Sequence, residues 1–110
     1  MATINPVGVF AADVVAWNGV VAGDTCVGYE ISGSQGLAGS VQMTGTFGGG
    51  ATAMQMSNDG TNWAALNDLQ GAAIEMDANG MAEFSTAARY IRPAPATGNG
   101  GVTVTVRLCG

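Results

Sequence analysis

The sequence contains neither histidine nor lysine, and its three arginines are outnumbered by eight acidic residues, so the net charge is −5. Histidine is the commonest general acid or base, and lysine supplies the amine of Schiff-base chemistry. The carboxylates are scattered along the chain and form no recognisable acid–base pair. We therefore expect a protein that is not an enzyme and that has no cofactor and no metal site.

The scarcity of positive charge also limits the partners. Nucleic-acid backbones and anionic membrane surfaces attract clustered cations, which this chain lacks. No apolar run reaches the roughly 18 residues that a membrane span needs, and residues 1–6 lack the basic start of a signal peptide. These features predict no nucleic-acid partner, no membrane partner and a chain that stays in the cell where it is made.

Cysteine is also scarce. Cys26 and Cys109 are the two cysteines, and they lie too far apart for a CxxC motif. A disulfide between them would close a loop of about 80 residues, but a chain without a leader favours a reducing compartment, where disulfides are rare. Both cysteines fall on the polar phase of their predicted strands. We expect two free thiols, with a disulfide as the alternative.

Apolar residues are plentiful, at 47% of the chain, and charged residues make up only 10%. This composition excludes a disordered chain, which would be polar and highly charged. The 18 glycines show no collagen period and indicate tight turns between short elements.

Period-two alternation of apolar and polar residues is the dominant pattern, for example in residues 102–108 (VTVTVRL). The predicted strands are 13–17, 27–31, 41–47, 52–57, 62–66, 72–76, 81–85, 89–93 and 102–108. Short strands spaced about ten residues apart are typical of a sandwich or jelly roll. We predict an all-β fold, a single-domain antiparallel β-sandwich that is jelly-roll-like and has about eight or nine short strands. Residues 10–21 could instead form a helix, but Val14-Val15 and Asn18-Gly19 favour a strand.

The predicted core takes the apolar phase of these strands. Its members are Val41, Met43, Phe47, Met54, Met56, Trp63, Ile74, Phe84, Ile91, Val102, Val104 and Val106.

Turn sequences separate the strands. Asn58-Asp59-Gly60 and Asn79-Gly80 are typical of hairpin turns, because they accept positive φ angles. Residues 57–62 could also be read as a calcium loop, but they lack the ligand spacing of an EF-hand, so the hairpin is favoured. Residues 97–101 (TGNGG) are interpreted as a flexible link before the last strand.

Two sets of side chains offer alternative functions. Trp17, Tyr29, Trp63 and Tyr90 fill the core or form a platform for sugar rings, and the core is favoured. Arg89 and Arg92 pair internally with Asp68, Glu75 or Glu83, or they pair with carboxylates of a partner, and the internal pair is favoured.

Residues 1–10 form an N-terminal arm in this interpretation, and residues 11–110 form the sandwich domain. The arm is apolar, contains Pro6 and packs either on this domain or on a neighbour. An apolar segment without an internal partner usually finds an external one. The candidate contact residues with a capsid or another subunit are Ile4, Pro6, Val7, Val9, Phe10, Val14 and Trp17.

Several stretches together carry a resemblance to a known family. They are residues 23–25 (GDT), 40–49 (SVQMTGTFGG), 56–63 (MSNDGTNW), 66–68 (LND), 90–93 (YIRP) and 102–108. In these motifs the chain resembles a family of small structural proteins of tailed bacteriophages, over about residues 13–108. The motifs are turns and strands, so they characterise a fold more securely than a role.

The resemblance implies a virion component, most like a capsid decoration (cement) protein. Its expected partner is the major capsid protein, and its expected form is a homo-oligomer, a trimer or a dimer. It is expected on the capsid exterior of the virion, after assembly in the host bacterial cytoplasm. A phage tail or baseplate component and a carbohydrate-binding β-sandwich module are the alternatives, because one sandwich serves many functions.

Overall fold

A computed structural model describes residues 2–9, 11–31 and 38–109 of the chain. Over these residues it contains strands and no helix. The strands are β1 (Thr3–Ile4), β2 (Val7–Val9), β3 (Ala11–Val21), β4 (Thr25–Cys26), β5 (Tyr29–Glu30), β6 (Ala38–Thr46), β7 (Thr52–Ser57), β8 (Ala64–Ala65), β9 (Glu75–Met76), β10 (Gly80–Ser85), β11 (Tyr90–Ala94) and β12 (Gly100–Cys109).

The strands form two five-stranded sheets and one small strand pair. The first sheet has the order β10-β6-β12-β3-β2. In the second sheet, β11 lies between β5 and β7, and both β8 and β9 pair with the other side of β7. All pairs within the two sheets are antiparallel, and β1 pairs with β4 in parallel. The predicted all-β, single-domain antiparallel sandwich is confirmed.

The core lies between the two sheets and follows the alternation of the sequence. On β12, Val102, Val104 and Val106 are fully buried, while Arg107 is exposed. They contact inward side chains of the second sheet, such as Met54 and Ile91, in one apolar cluster. Ten of the twelve predicted core residues are buried, and Met56 and Trp63 are half-buried.

Residues 11–21 form one long strand, so the helical alternative for this segment is wrong. β3 pairs with β12 on one side and with β2 on the other. The β-branched valines of β3 suit a pleated, half-buried surface, and burial of Val15 and Val20 in the core decides in favour of the strand.

One of the two predicted hairpins is confirmed and the other is wrong. β7 and β8 pair across the Asn58-Asp59-Gly60 turn, where Gly60 has a φ of 75°. Asn79 connects β9 in the second sheet to β10 in the first, so these strands do not pair with each other. The Asn79 side chain accepts a hydrogen bond from the Gly45 amide at 3.0 Å. This hydrogen bond attaches the connection between β9 and β10 to the end of β6.

The predicted flexible link at residues 97–101 is instead tightly held. Asn99 is buried and its side chain makes four hydrogen bonds, to Thr52, Ala96, Phe47 and Gly50. Gly48 and Gly98 have positive φ angles, and a Cβ at either would collide with the backbone of the other. We call this arrangement the Asn99 clasp, since it locks the turns after β6 and before β12 together.

Candidate docking surfaces

The N-terminal arm packs on its own domain, which is one of the two predicted arrangements. β1 lies beside β4, and β2 forms an edge of the first sheet beside β3. The Ala2 carbonyl accepts a hydrogen bond from the Thr25 amide at 2.9 Å, and the Ile4 carbonyl accepts one from Val27 at 2.8 Å. The arm is therefore part of the sandwich.

The predicted contact residues are only partly accessible. Val7 is 46% exposed, whereas Ile4, Pro6 and Val14 are half-buried, and Ile4 packs against the core. Val9 lies in β2, and Phe10 lies outside the described residues.

Trp17 requires a correction, because its side chain is fully buried and cannot contact a partner. Its indole Nε1 donates a hydrogen bond to the Val27 carbonyl at 2.8 Å. The alternation of β3 points Trp17 toward the second sheet. We therefore assign it to the core.

Asp24 anchors the arm. One carboxylate oxygen accepts a hydrogen bond from the Ala2 amide and the other accepts one from the Val21 amide, both at 2.9 Å. Both hydrogen bonds lower the pKa of Asp24 below its ordinary value of 3.8, because they stabilise the charged form. The bond from the Val21 amide has the larger effect and the bond from the Ala2 amide has the smaller one.

Because the pKa of Asp24 is lowered in the folded protein, we expect the free energy of unfolding to fall at acid pH. A lowered folded-state pKa contributes stability that is present above pH 3.8 and is lost as the pH falls through the folded value. In Asp24→Asn we expect a smaller loss of stability between about pH 4 and pH 2 than in the wild type. Urea unfolding at a series of pH values measures this, and parallel profiles of the two proteins would contradict it.

The opposite edge of the first sheet carries the most exposed large apolar side chains in the described residues. Met81 on β10 is 64% exposed, and Leu69 in the loop between β8 and β9 is 63% exposed. Both line an open groove of about 550 Å³. The sequence analysis names neither residue as a candidate contact. One signal was present: Met81 alternates in phase with Glu83 and Ser85, so an apolar side chain stands on the face of the strand that is otherwise polar.

The aromatic and arginine residues cover one another. The Arg92 guanidinium lies 4.0 Å from the centre of the Trp63 ring, and its Nε donates a hydrogen bond to Gln55 at 2.9 Å. The Arg89 guanidinium lies 5.3 Å from the centre of the Tyr90 ring. A guanidinium therefore covers one face of each of these two rings, which reduces the ring surface that is open to a sugar. Partial burial lowers the pKa of Arg92.

The favoured internal ion pair is confirmed for Arg89, but the predicted carboxylates are wrong. Arg89 forms an ion pair with Glu30 at 2.7 Å, and not with Asp68, Glu75 or Glu83. The reason is topological, since β11 and β5 are neighbours and place Tyr90 opposite Glu30.

Cys26 is a free, buried thiol, and its predicted polar phase is wrong. Burial raises its pKa to about 12, with a smaller contribution from nearby Asp24. Such a thiol is largely protonated at neutral pH and reacts poorly. The expected free thiol is confirmed for Cys26, so the alternative of a disulfide between Cys26 and Cys109 is wrong.

The oxygen-rich segment after β7 forms a self-contained turn. The Asp59 carboxylate accepts hydrogen bonds from the Thr61 and Asn62 amides and from the Ser57 hydroxyl, at 2.8–2.9 Å. These bonds lower the pKa of Asp59. Within the ranges that the structure describes, no three acidic or cysteine side chains lie close enough together to hold a metal ion. The pairing of β7 with β8 across this turn confirms the favoured hairpin interpretation.

Comparisons of the chain with protein-family models, curated proteins and solved structures found no match. Residues 2–9, 11–31 and 38–109 include no helix long and apolar enough to span a membrane.

Proposed function

We propose that the protein is a non-enzymatic structural component of a phage virion, which binds the assembled capsid and stabilises it. One observation carries this proposal. Exposed apolar side chains lie at both outer edges of the first sheet, Val7 at β2 and Met81 at β10. A molecule with contact surfaces at opposite edges suits a repeated lattice, because it can contact two neighbouring subunits at once.

The rigidity of the sandwich supports a docking role. Every buried side-chain nitrogen and oxygen atom among the described residues has a hydrogen-bond partner. The Asn99 clasp and the Asp24 anchor hold the turns and the arm in place. A protein that is ordered before it binds loses little conformational entropy on docking.

The stabilisation follows from mass action. A ligand that binds the assembled lattice and not the free subunits shifts the equilibrium toward the assembled state. In this proposal the partner is the major capsid protein and the location is the capsid exterior, as the resemblance to small phage structural proteins implies. Placement at a symmetry axis would make a trimer or a dimer the functional form. The net charge of −5 opposes contact with packaged DNA.

Co-sedimentation with undecorated capsids tests the proposal. We expect the wild-type protein to pellet with the particles and Val7→Asp to bind several-fold more weakly. Thr61→Asp is the matched control, because Thr61 is exposed in a turn of the second sheet, away from both edges. The intact protein remaining in the supernatant would reject the capsid role.

Deletion of the arm is a poor test, since residues 2–9 contribute β1, β2 and the core contact of Ile4.

A further inference from the structure

Three asparagines of the chain are followed directly by glycine, at Asn18, Asn79 and Asn99. In such a pair the backbone nitrogen of the glycine can attack the side-chain carbonyl of the asparagine, because glycine has no Cβ to shield its nitrogen. A fold suppresses this reaction wherever burial or hydrogen bonds fix the asparagine side chain. The three Asn–Gly pairs should therefore differ in reactivity according to their place in the sandwich.

The fold holds two of the three pairs. Asn99 is buried, and its side chain makes the four hydrogen bonds of the Asn99 clasp. The Asn79 side chain is exposed, but it accepts a hydrogen bond from the Gly45 amide at 3.0 Å. Reaction at either site first requires a local opening of the structure that breaks these bonds.

The third pair lies at a bulge of β3. The register between β3 and β12 shifts between Val102 and Val104, so Asn18 and Gly19 together stand opposite Thr103. A bulge disrupts the ladder locally and leaves its extra residue unpaired. Gly19 has a φ of 64°, which is outside the range of a regular strand.

The surroundings of this pair leave the Asn18 side chain free to move. Asn18 is exposed, and within the described residues its side-chain amide has no hydrogen-bond partner. No atom outside the adjoining residues lies within 4 Å of the position that a Cβ would take at Gly19. The side-chain carbonyl carbon of Asn18 therefore has both the freedom and the space to approach the Gly19 nitrogen.

We propose that Asn18 is a modification site of the folded protein, where the side chain converts spontaneously to aspartate and isoaspartate. The Gly19 amide gives its proton to hydroxide, and its nitrogen forms a bond to Cγ of Asn18. The bond from Cγ to the side-chain nitrogen breaks, and that nitrogen takes up a proton from water and leaves as ammonia. One water molecule then opens the succinimide ring at either carbonyl. The reaction consumes one water, releases one ammonia and requires neither an oxidant nor a reductant.

The product carries a signature of its route. Opening of the ring at the backbone carbonyl gives isoaspartate, and opening at the side-chain carbonyl gives aspartate. Direct hydrolysis of the side-chain amide would give aspartate only. Either product makes the chain one unit more negative than its net charge of −5, so ion exchange separates it from the unmodified protein. This inference is independent of the capsid role.

Ageing of the purified wild-type protein tests the inference. The folded protein is kept at mildly alkaline pH, samples are digested with pepsin at acid pH, where the reaction stops, and the peptides are measured by mass spectrometry. We expect conversion at Asn18 to be at least about tenfold faster than at Asn79 or Asn99, because a held site reacts only from its opened state. Isoaspartate should be present at position 18.

Two controls isolate the effect of the fold. Asn18→Gln keeps a side-chain amide at the exposed position, but it would have to close a larger ring, so we expect position 18 to stay unmodified. The melting temperature establishes that this variant is folded. In urea-unfolded wild-type protein the restraints are gone, and the three Asn–Gly pairs should react at similar rates.

Each contrary result overturns a defined part of the inference. Folded protein in which Asn79 or Asn99 reacts as fast as Asn18 would show that the bulge is not the preferred site. Folded protein in which Asn18 stays unmodified would remove the site altogether. Aspartate at position 18 without isoaspartate would reject attack by the Gly19 nitrogen.

Discussion

Replacing Asn99 with alanine is expected to lower the free energy of unfolding by about 3 kcal/mol or more. The Asn99 amide nitrogen donates to the carbonyls of Phe47 and Gly50, at 2.8 and 3.0 Å. Its oxygen accepts from the Thr52 hydroxyl at 2.7 Å and from the Ala96 amide at 2.8 Å. Alanine leaves these groups without partners, and each buried unpaired group costs about 1–3 kcal/mol.

Asn79→Ala is the matched control for this measurement. It removes the same side chain, but only one hydrogen bond, to the Gly45 amide at an exposed position. Urea unfolding should give a loss of about 1 kcal/mol or less for Asn79→Ala. Equal losses in the two variants would show that the Asn99 clasp does not stabilise the fold.

Replacing Trp17 with alanine is expected to cost about 3–5 kcal/mol, as for other large core truncations. The Trp17 side chain is fully buried, and its indole Nε1 donates a hydrogen bond to the Val27 carbonyl at 2.8 Å. Trp17→Phe keeps most of the ring volume and loses this hydrogen bond, so we expect an intermediate loss.

Trp63→Ala serves as the control for Trp17, because Trp63 is half-buried on the second sheet. Denaturant midpoints of the three tryptophan variants should rank Trp63→Ala and Trp17→Phe above Trp17→Ala. If Trp17→Ala were as stable as the wild type, Trp17 would not be a core residue, and it would return to the candidate contact surface.

The strands were predictable because the alternation of apolar and polar residues is a local sequence pattern. Burial of one face of each strand in the core requires that pattern. Burial of Val102, Val104 and Val106 on one face of β12 follows directly from the valine–threonine pattern. The positions of Asn79 and Asn99 were not predictable in the same way. Both occur in turn sequences with glycine, and their roles depend on carbonyls and amides about 35–50 residues away in the chain.

The docking surfaces were predictable only in part. Val7 stood out because its segment is apolar and uncharged, and the structure places it at an exposed edge. Met81 did not stand out in the sequence. Its exposure depends on whether β10 lies at an edge, and the order of strands in the sheet decides that. That order places β10 beside β6, and the paired residues are 37–47 positions apart in the chain, from Gly80–Met43 to Ser85–Ala38. Long-range pairing of this kind leaves no local pattern.

The copy number of this protein in purified virions tests the capsid role most directly. Quantitative mass spectrometry with labelled peptide standards gives its ratio to the major capsid protein. A protein that binds the shell lattice should be present in hundreds of copies, in a simple ratio set by the symmetry of the shell. A few copies to a few tens per particle would contradict the capsid role and indicate a tail or baseplate component.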